Sequence, residues 1–335
     1  MRKKGIDFVI TWVDGNDPVW QQEKAKYSPR READVRTERY RDWELLKYWF
    51  RGVEQFAPWV RRIHFVTCGH YPDWLNTEHK KLHLVKHRDY IPERFLPTFN
   101  SNVIEMYLHR IKGLSEQFVY FNDDMFVTGP VKPRDFFRGG KPCDMLAFQP
   151  VVANPKNPVM SHLFLNEALV LSKYFDKREN VKQQPFHYFH IGYPPLYFFY
   201  NFLELAFPLY TSFYTPHGPS PFLKRSFEEV WGREAEELLA TSANRFRSKD
   251  DQTQYLFREW QKLRGNFCPK NVLRGFCYFN LDDHNEKLKK TLKEGKAKMI
   301  CINDANEKID FERVKSDLLK AMEQYFPEKS SFELY

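Results

Sequence analysis

Cysteine is scarce: five residues in 335 (Cys68, Cys143, Cys268, Cys277 and Cys301). The number is odd and no pair has the spacing of a zinc knuckle, so reduced, mostly buried thiols of a cytosolic compartment are expected, with no role assigned. The 14 glycines form neither G-x-G-x-x-G nor a Walker sequence, which disfavours a dinucleotide oxidoreductase and a P-loop ATPase. Long apolar runs are missing as well. After Met1-Arg2-Lys3-Lys4 the stretch Ile6 to Trp12 is too short for a signal peptide. Tyr193 to Tyr214, the most apolar later region, is broken by Pro194, Pro195, Asn201, Glu204 and Pro208, so any membrane association is expected to be peripheral. There are no repeats, low-complexity tracts or arginine-rich tail, and nucleic acid is not an expected partner.

Aromatic residues are abundant, at 17% with 31 Phe and 18 Tyr, while mean hydropathy is −0.65. Together these predict a soluble globular chain with an aromatic interior, long enough for a sizeable core. The net charge of +8 is spread along the chain. Such a field attracts polyanions, among them nucleic acid, anionic lipid, nucleotide-sugars and phosphate-bearing glycans, and charge alone does not choose among them.

The stretch Phe118 to Phe126 runs from four β-favouring residues into Asn122-Asp123-Asp124. It reads as a buried strand delivering two carboxylates to a sheet edge, where a metal and a phosphate are expected, although the same composition also makes ordinary turns. Ile6 to Val13 reads as a first strand ended by Asp14-Gly15-Asn16-Asp17-Pro18, a turn suited to a nucleotide's phosphate and ribose or a plain Asp-Gly turn. A helix over Asp42 to Val53, strands at 63–67 and 82–85, and a helix opening at Asn100 to Glu105 and stopping at Gly113 follow. Asn102 and Glu105 have the spacing of a capping box. This alternation over residues 6–127 predicts an α/β, Rossmann-like sheet.

Ile6 to Pro18, Ala57 to Thr67, Pro97 to Glu105 and Leu114 to Phe126 resemble the first two signature regions of the Stealth family of capsular polysaccharide phosphotransferases. Thr215 to Lys224, Arg245 to Ser248 with Asp250-Asp251, and Cys301 to Asp304 are similar to its third and fourth. The resemblance covers roughly residues 5–310 and implies a Rossmann-like nucleotide-sugar transferase core (GT-A-like) with helical additions. It implies transfer of a sugar-1-phosphate from a UDP-sugar to a glycan hydroxyl, with release of UMP and with Mg2+ or Mn2+ as cofactor. One catalytic domain over 1–335 is expected. Its parts are an N-terminal half at 5–130 with the donor and metal site, a variable aromatic-rich insert at 131–215, a second half at 216–310 and a C-terminal helix at 311–335.

Roles follow residue by residue. Asp124 first, then Asp123, offer the hard oxygens magnesium prefers, and Asp304 is a third ligand or merely an Asn-Asp turn. Arg247 is a clamp for charge on a transferring phosphoryl group, or a surface arginine pairing with Asp250 or Asp251. Asp250 is expected to cap the helix that carries Leu256 and Trp260, and Ser226 with Glu229 to cap the preceding one. His217, in a loop of proline and glycine, is a general base or a donor to the leaving phosphate. Lys224 adds a charge to the diphosphate or is simply solvated. Asp14, Gly15 and Asp17 are expected at the donor. Asp7 and Glu105 are positions where the family carries functional acids. Asp7 is a carboxylate in an apolar strand and needs a partner, either the donor or His217. The aromatics of Phe186 to Tyr214 form an acceptor platform or membrane contact, or else, as preferred, core or a lid.

The partners expected are the UDP-sugar, a glycan acceptor, and peripheral contact with the inner membrane face or polysaccharide-assembly machinery from a cytoplasmic location. The alternatives are an ordinary glycosyltransferase that releases UDP and a non-catalytic polyanion-binding protein.

Overall fold

The computed structural model describes residues 5–28, 41–155, 157–304 and 308–335; the basic start Met1–Lys4 lies outside them. In chain order its strands are β1 (Ile6–Thr11), β2 (Ile63–Thr67), β3 (Leu82–Lys86), β4 (Gln117–Phe121), β5 (Met125–Val127), β6 (Phe137–Arg138), β7 (Lys141–Asp144), β8 (Ser220–Leu223), β9 (Cys268–Pro269), β10 (Phe276–Asn280) and β11 (Met299–Asn303). The main sheet has the order β3-β2-β1-β4-β8. Its first four strands are parallel and β8 runs against β4.

Such a sheet must be covered on both faces, which is why β1 and β4 read as unbroken apolar runs. Phe8, Ile10, Phe65 and Phe121 point into one core, closed by the helices Leu46–Phe56 and Phe311–Tyr325. Val9, Val66, Phe118 and Tyr120 point into the other, closed by Lys224–Arg233 and Gln254–Leu263. The split follows the two-residue side-chain period of a strand. The Rossmann-like α/β expectation therefore holds in the core itself.

The helix Leu46–Phe56 lays Leu46, Trp49, Phe50 and Val53 on the first core at helical spacing. It comes so close to β5 that a Cβ at Gly52 would overlap the Val127 carbonyl. The helix begins at Leu46 instead of Asp42 because Glu44 has φ +56°, which no helix tolerates. β5 does not fold back on β4 but joins a second sheet of order β10-β11-β5.

Three capping expectations are corrected. Asn100, not Asn102, caps the helix Ser101–Met106, accepting from the Asn102 amide at 3.0 Å. Ser226 lies inside the helix Lys224–Arg233, which starts directly from β8 without a side-chain cap. Thr253, not Asp250, caps Gln254–Leu263. No helix among the described residues is long and apolar enough to cross a membrane.

Candidate active site

In an open sheet of this order, β1 and β4 send their connections to opposite sides, and the crevice beyond their carboxyl ends is the natural ligand site. Trp12 after β1 and Asn122-Asp123-Asp124 after β4 occupy it. Antiparallel pairing brings the second half of the chain to the same edge. Ser220 of β8 lies opposite Tyr120 near the end of β4, so the preceding loop, with His217, projects over the tip. In the second sheet Cys301 lies opposite Met125, and the Ile302 amide donates to the Asp124 carbonyl at 2.8 Å. This register carries Asn303 and Asp304 to the tip.

A third segment is pinned from the side. Phe246 stacks on Phe99 with ring centroids 5.1 Å apart, and Asn100 Nδ2 donates to the Asn244 carbonyl at 3.1 Å. Buried Asp251 accepts from Asn100 and Asn102 at 2.8 and 3.0 Å. Held this way, Arg247 donates to Ser101 Oγ through Nε at 3.1 Å and through its terminal nitrogen. Asp123, Asp124, His217, Arg247 and Asp304 all line one cavity of about 400 Å³.

His217 Nε2 lies 3.1 Å from Asp124 Oδ2, and its Nδ1 pairs with the Tyr255 hydroxyl at 3.1 Å. Burial lowers the pKa of His217, but Asp124 and Glu105 together raise it above its ordinary value. The buried Cys301 thiol donates to Asp124 Oδ2 at 3.3 Å and is kept protonated by burial and by that carboxylate. Asp123 is pushed up to about 7 by the surrounding protein, then by Asp124 and Asp42. Its side chain still reaches the cavity opening, so the charge repulsion is the part that persists in water. Asp304 accepts from Trp43 Nε1 at 3.2 Å and lies 3.7 Å from Arg41.

Residues 4–32 match the Stealth protein conserved region 1, and residues 39–143 its conserved region 2. Over 331 residues the chain is 42% identical to the capsular polysaccharide phosphotransferase WcwK of Streptococcus pneumoniae, covering 98% of each chain. The chain belongs to the Stealth family. It is a phosphotransferase enzyme. It is 40% identical to the receptor polysaccharide phosphotransferase WefC of Streptococcus gordonii, covering 98% of this chain and 99% of that one. With the exopolysaccharide phosphotransferase cps2G of Lactiplantibacillus plantarum the identity is 38%, over 98% and 96%. Among solved structures, the galactosyltransferase LgtC in complex with donor and acceptor sugar analogs is similar at a TM-score of 0.40 and 12% identity, over 95% of each chain.

Not every expected residue of this Stealth chain reaches the cavity. Asp7 stands at the start of β1, the opposite edge of the sheet. Its partners are Arg61 Nε at 2.8 Å, His64 Nε2 at 3.0 Å and the Ser115 amide at 2.8 Å, which corrects the expectation of the donor or His217. Burial pushes its carboxyl up, and His64 and Arg61 hold it below the usual range. Lys224 is likewise misplaced by the sequence reading. It follows β8, whose antiparallel course ends beside Gln117, so Lys224 sits at the far edge with its amide on the Glu116 carbonyl.

Asp14, Gly15 and Asp17 are at the correct edge but line neither cavity there. Asp17 caps the helix Pro18–Tyr27 through the Trp20 amide at 2.6 Å, and the Asp14 amide donates to His70. Glu105 lines a smaller cavity that shares Trp12, Asp123 and Arg247 with the main one. It accepts from the Tyr120 hydroxyl at 3.2 Å, and burial raises its pKa against Arg247, Tyr120 and His217. Arg247 thus turns inward to Ser101, not outward to Asp250 or Asp251.

Cys301, Tyr255, Trp43 and Arg41 were not legible as site residues. Cys301 stood inside the stretch that resembles the fourth signature region but was given no role, and the other three arrive through non-local packing. The same holds for Arg258, buried beneath the His217 loop. It grips Asp144 with two bonds of 2.7 and 3.0 Å and donates to the Pro216 carbonyl at 3.1 Å. Arg258→Met leaves a buried carboxylate uncompensated and is expected to cost about 3–5 kcal/mol, read by urea denaturation. Adding Asp144→Leu should recover most of that loss, which a merely bulky arginine would not show.

Proposed function

We propose that this cavity transfers a sugar-1-phosphate from a UDP-sugar to a hydroxyl of a glycan acceptor, in cytoplasmic synthesis of a capsular or other surface polysaccharide. The observation that carries the reading is the meeting of Asp124, His217, Arg247 and Asp304, four residues from four separate segments, in one crevice at the carboxyl edge of the sheet. Phosphoryl transfer asks little covalent chemistry of a protein; it needs charge neutralisation and alignment.

The side chains fit a divalent cation. Asp124 Oδ1 is buried without a hydrogen-bond partner, and Asp123 and Asp304 line the same cavity. These hard oxygens suit Mg2+ or Mn2+. His217 and Cys301 also lie near Asp124, with ligand atoms within 4.8 Å of one another. The protonated thiol, however, orients Asp124 and is no ligand for a hard ion. When bound, such a cation neutralises the diphosphate.

Arg247, fixed on Ser101, meets the non-bridging oxygens. His217, oriented by Asp124 and Tyr255, takes the acceptor's proton. The acceptor oxygen then forms its bond to the β-phosphorus, the bond from that phosphorus to the bridging oxygen breaks, and UMP carries the electron pair away. Incubation with a UDP-sugar, Mn2+ and a hydroxyl acceptor should release UMP in step with phosphodiester, followed by phosphorus NMR. UDP as the sole nucleotide product would make this an ordinary glycosyltransferase.

A further inference from the structure

The helix Pro195–Glu204 is inside out. Its polar residues Asn201 and Glu204 are buried. Asn201 accepts from the Phe148 amide at 2.6 Å and donates to the Leu146 and Tyr188 carbonyls at 3.0 and 2.7 Å. Glu204 accepts from Thr211 at 2.8 Å and pairs with buried Lys177, whose ammonium also reaches the Glu204 and Leu209 carbonyls. These bonds fix the rotation of the helix, and its apolar side turns to solvent.

Phe199 is 54% exposed and Phe202 62%. The flanking segments expose further large apolar side chains, with Phe186 81%, Ile191 95% and Leu209 68% exposed. Core, one half of the preferred sequence reading, is therefore wrong for this face, although Tyr188 and Tyr193 beneath it are buried. Leaving a large apolar side chain in water forgoes about 1.5–3 kcal/mol each, so this many within residues 186–209 mark a contact surface.

Charge says what the contact is. His190 and Gly192, on either side of Ile191, line a second cavity of about 720 Å³. It carries Arg138, Lys270, Arg274, Lys296 and Lys298 against a single carboxylate, Asp135. Asp135 engages Lys270 at 3.1 Å and Lys298 at 3.6 Å, while Lys296 turns to Glu294 at 2.8 Å. Arg274 is exposed and has no ion pair among the described residues. An apolar face continuous with a cationic rim matches the acyl boundary and phosphate headgroups of an anionic bilayer. A twofold contact of this face with itself would set cations against cations.

We propose that residues 186–209 seat the chain on an anionic membrane surface, with Phe199 and Phe202 at the headgroup–acyl boundary and Arg274 and Lys298 at lipid phosphates. Pro216 and Gly218 line the cationic cavity and Thr215 and His217 the reactive one. One loop therefore separates the bilayer side from the reacting centre.

The test is co-sedimentation of the full chain with vesicles of equal parts phosphatidylglycerol and phosphatidylcholine, or of phosphatidylcholine alone. It reads binding without turnover, so its failure is distinct from failure of the transfer reaction. The chain should bind the anionic vesicles at least about tenfold more tightly. Phe199→Ser/Phe202→Ser should lose at least about tenfold with an unchanged thermal melt, since both side chains are more than half exposed. Arg274→Glu/Lys298→Glu should lose the preference for anionic lipid. The proposal is overturned if the chain stays in the supernatant with both vesicles, or if the double Phe variant binds as the parent does. It is equally overturned if sedimentation shows a dimer that the Phe variant dissolves while vesicle binding is absent.

Discussion

Asp124→Ala is expected to lower turnover by about 10³-fold or more, since losing roughly 4 kcal/mol of charge stabilisation at the phosphoryl group has that consequence. One oxygen of this carboxylate holds His217 and Cys301, and the other is buried without a hydrogen-bond partner. Alanine thus removes both the carboxylate oxygen proposed for the cation and the group that aims the imidazole. The fold should survive, because the tip is held by backbone pairing, Ile302 to the Asp124 carbonyl among others. Isothermal titration of Mn2+ separates the two losses, with affinity expected to fall alongside turnover in the variant. Turnover or Mn2+ binding close to that of the parent would remove Asp124 from the site.

His217→Ala should cost about 10²–10⁴-fold in turnover, the usual range for a general base. The pH profile identifies the role. Burial lowers the pKa of His217, and Asp124 and Glu105 more than reverse this, so the imidazole loses its proton only above its ordinary value. The neutral form accepts the acceptor's proton, and the parent's rate should therefore fall as pH drops through the imidazole's pKa, which a cation on Asp124 would bring back toward its ordinary value. The alanine variant should be flat over the same range. An unchanged acid limb in His217→Ala would show that another group supplies it.

Local periodicity was enough for the four parallel strands of the main sheet. Ile63–Thr67 has the expected bounds, β3 and β4 differ from expectation by one residue at one end, and β1 ends at Thr11 instead of Val13. β1, β2 and β4 are buried on both faces, and a strand of that kind carries its signal within five or six residues. Capping was read less well. Asn102, Ser226 and Asp250 each had the right neighbours in sequence, yet Asn100 and Thr253 were closer to where the helices actually turned. Asp7 and Lys224 failed for a different reason. Asp7 was taken from the resemblance and Lys224 from its charge, while the direction of each strand puts the residue at the wrong edge.

The sequence by itself determined the α/β class, the carboxylate tip after β4 and the resemblance that led to His217, Arg247 and Asp304, because these reside in short contiguous stretches. Only the tertiary structure decided which edge each stretch meets. The antiparallel register of β8 brings His217 to Asp124, and that of β11 adds Cys301, which no spacing announces. It also decided that the aromatic helix at 195–204 turns its phenylalanines outward, since that rotation is set by bonds from Asn201 and Lys177 to distant backbone. Hydrophobic pattern records that a face exists; which way it points depends on partners far away in the chain.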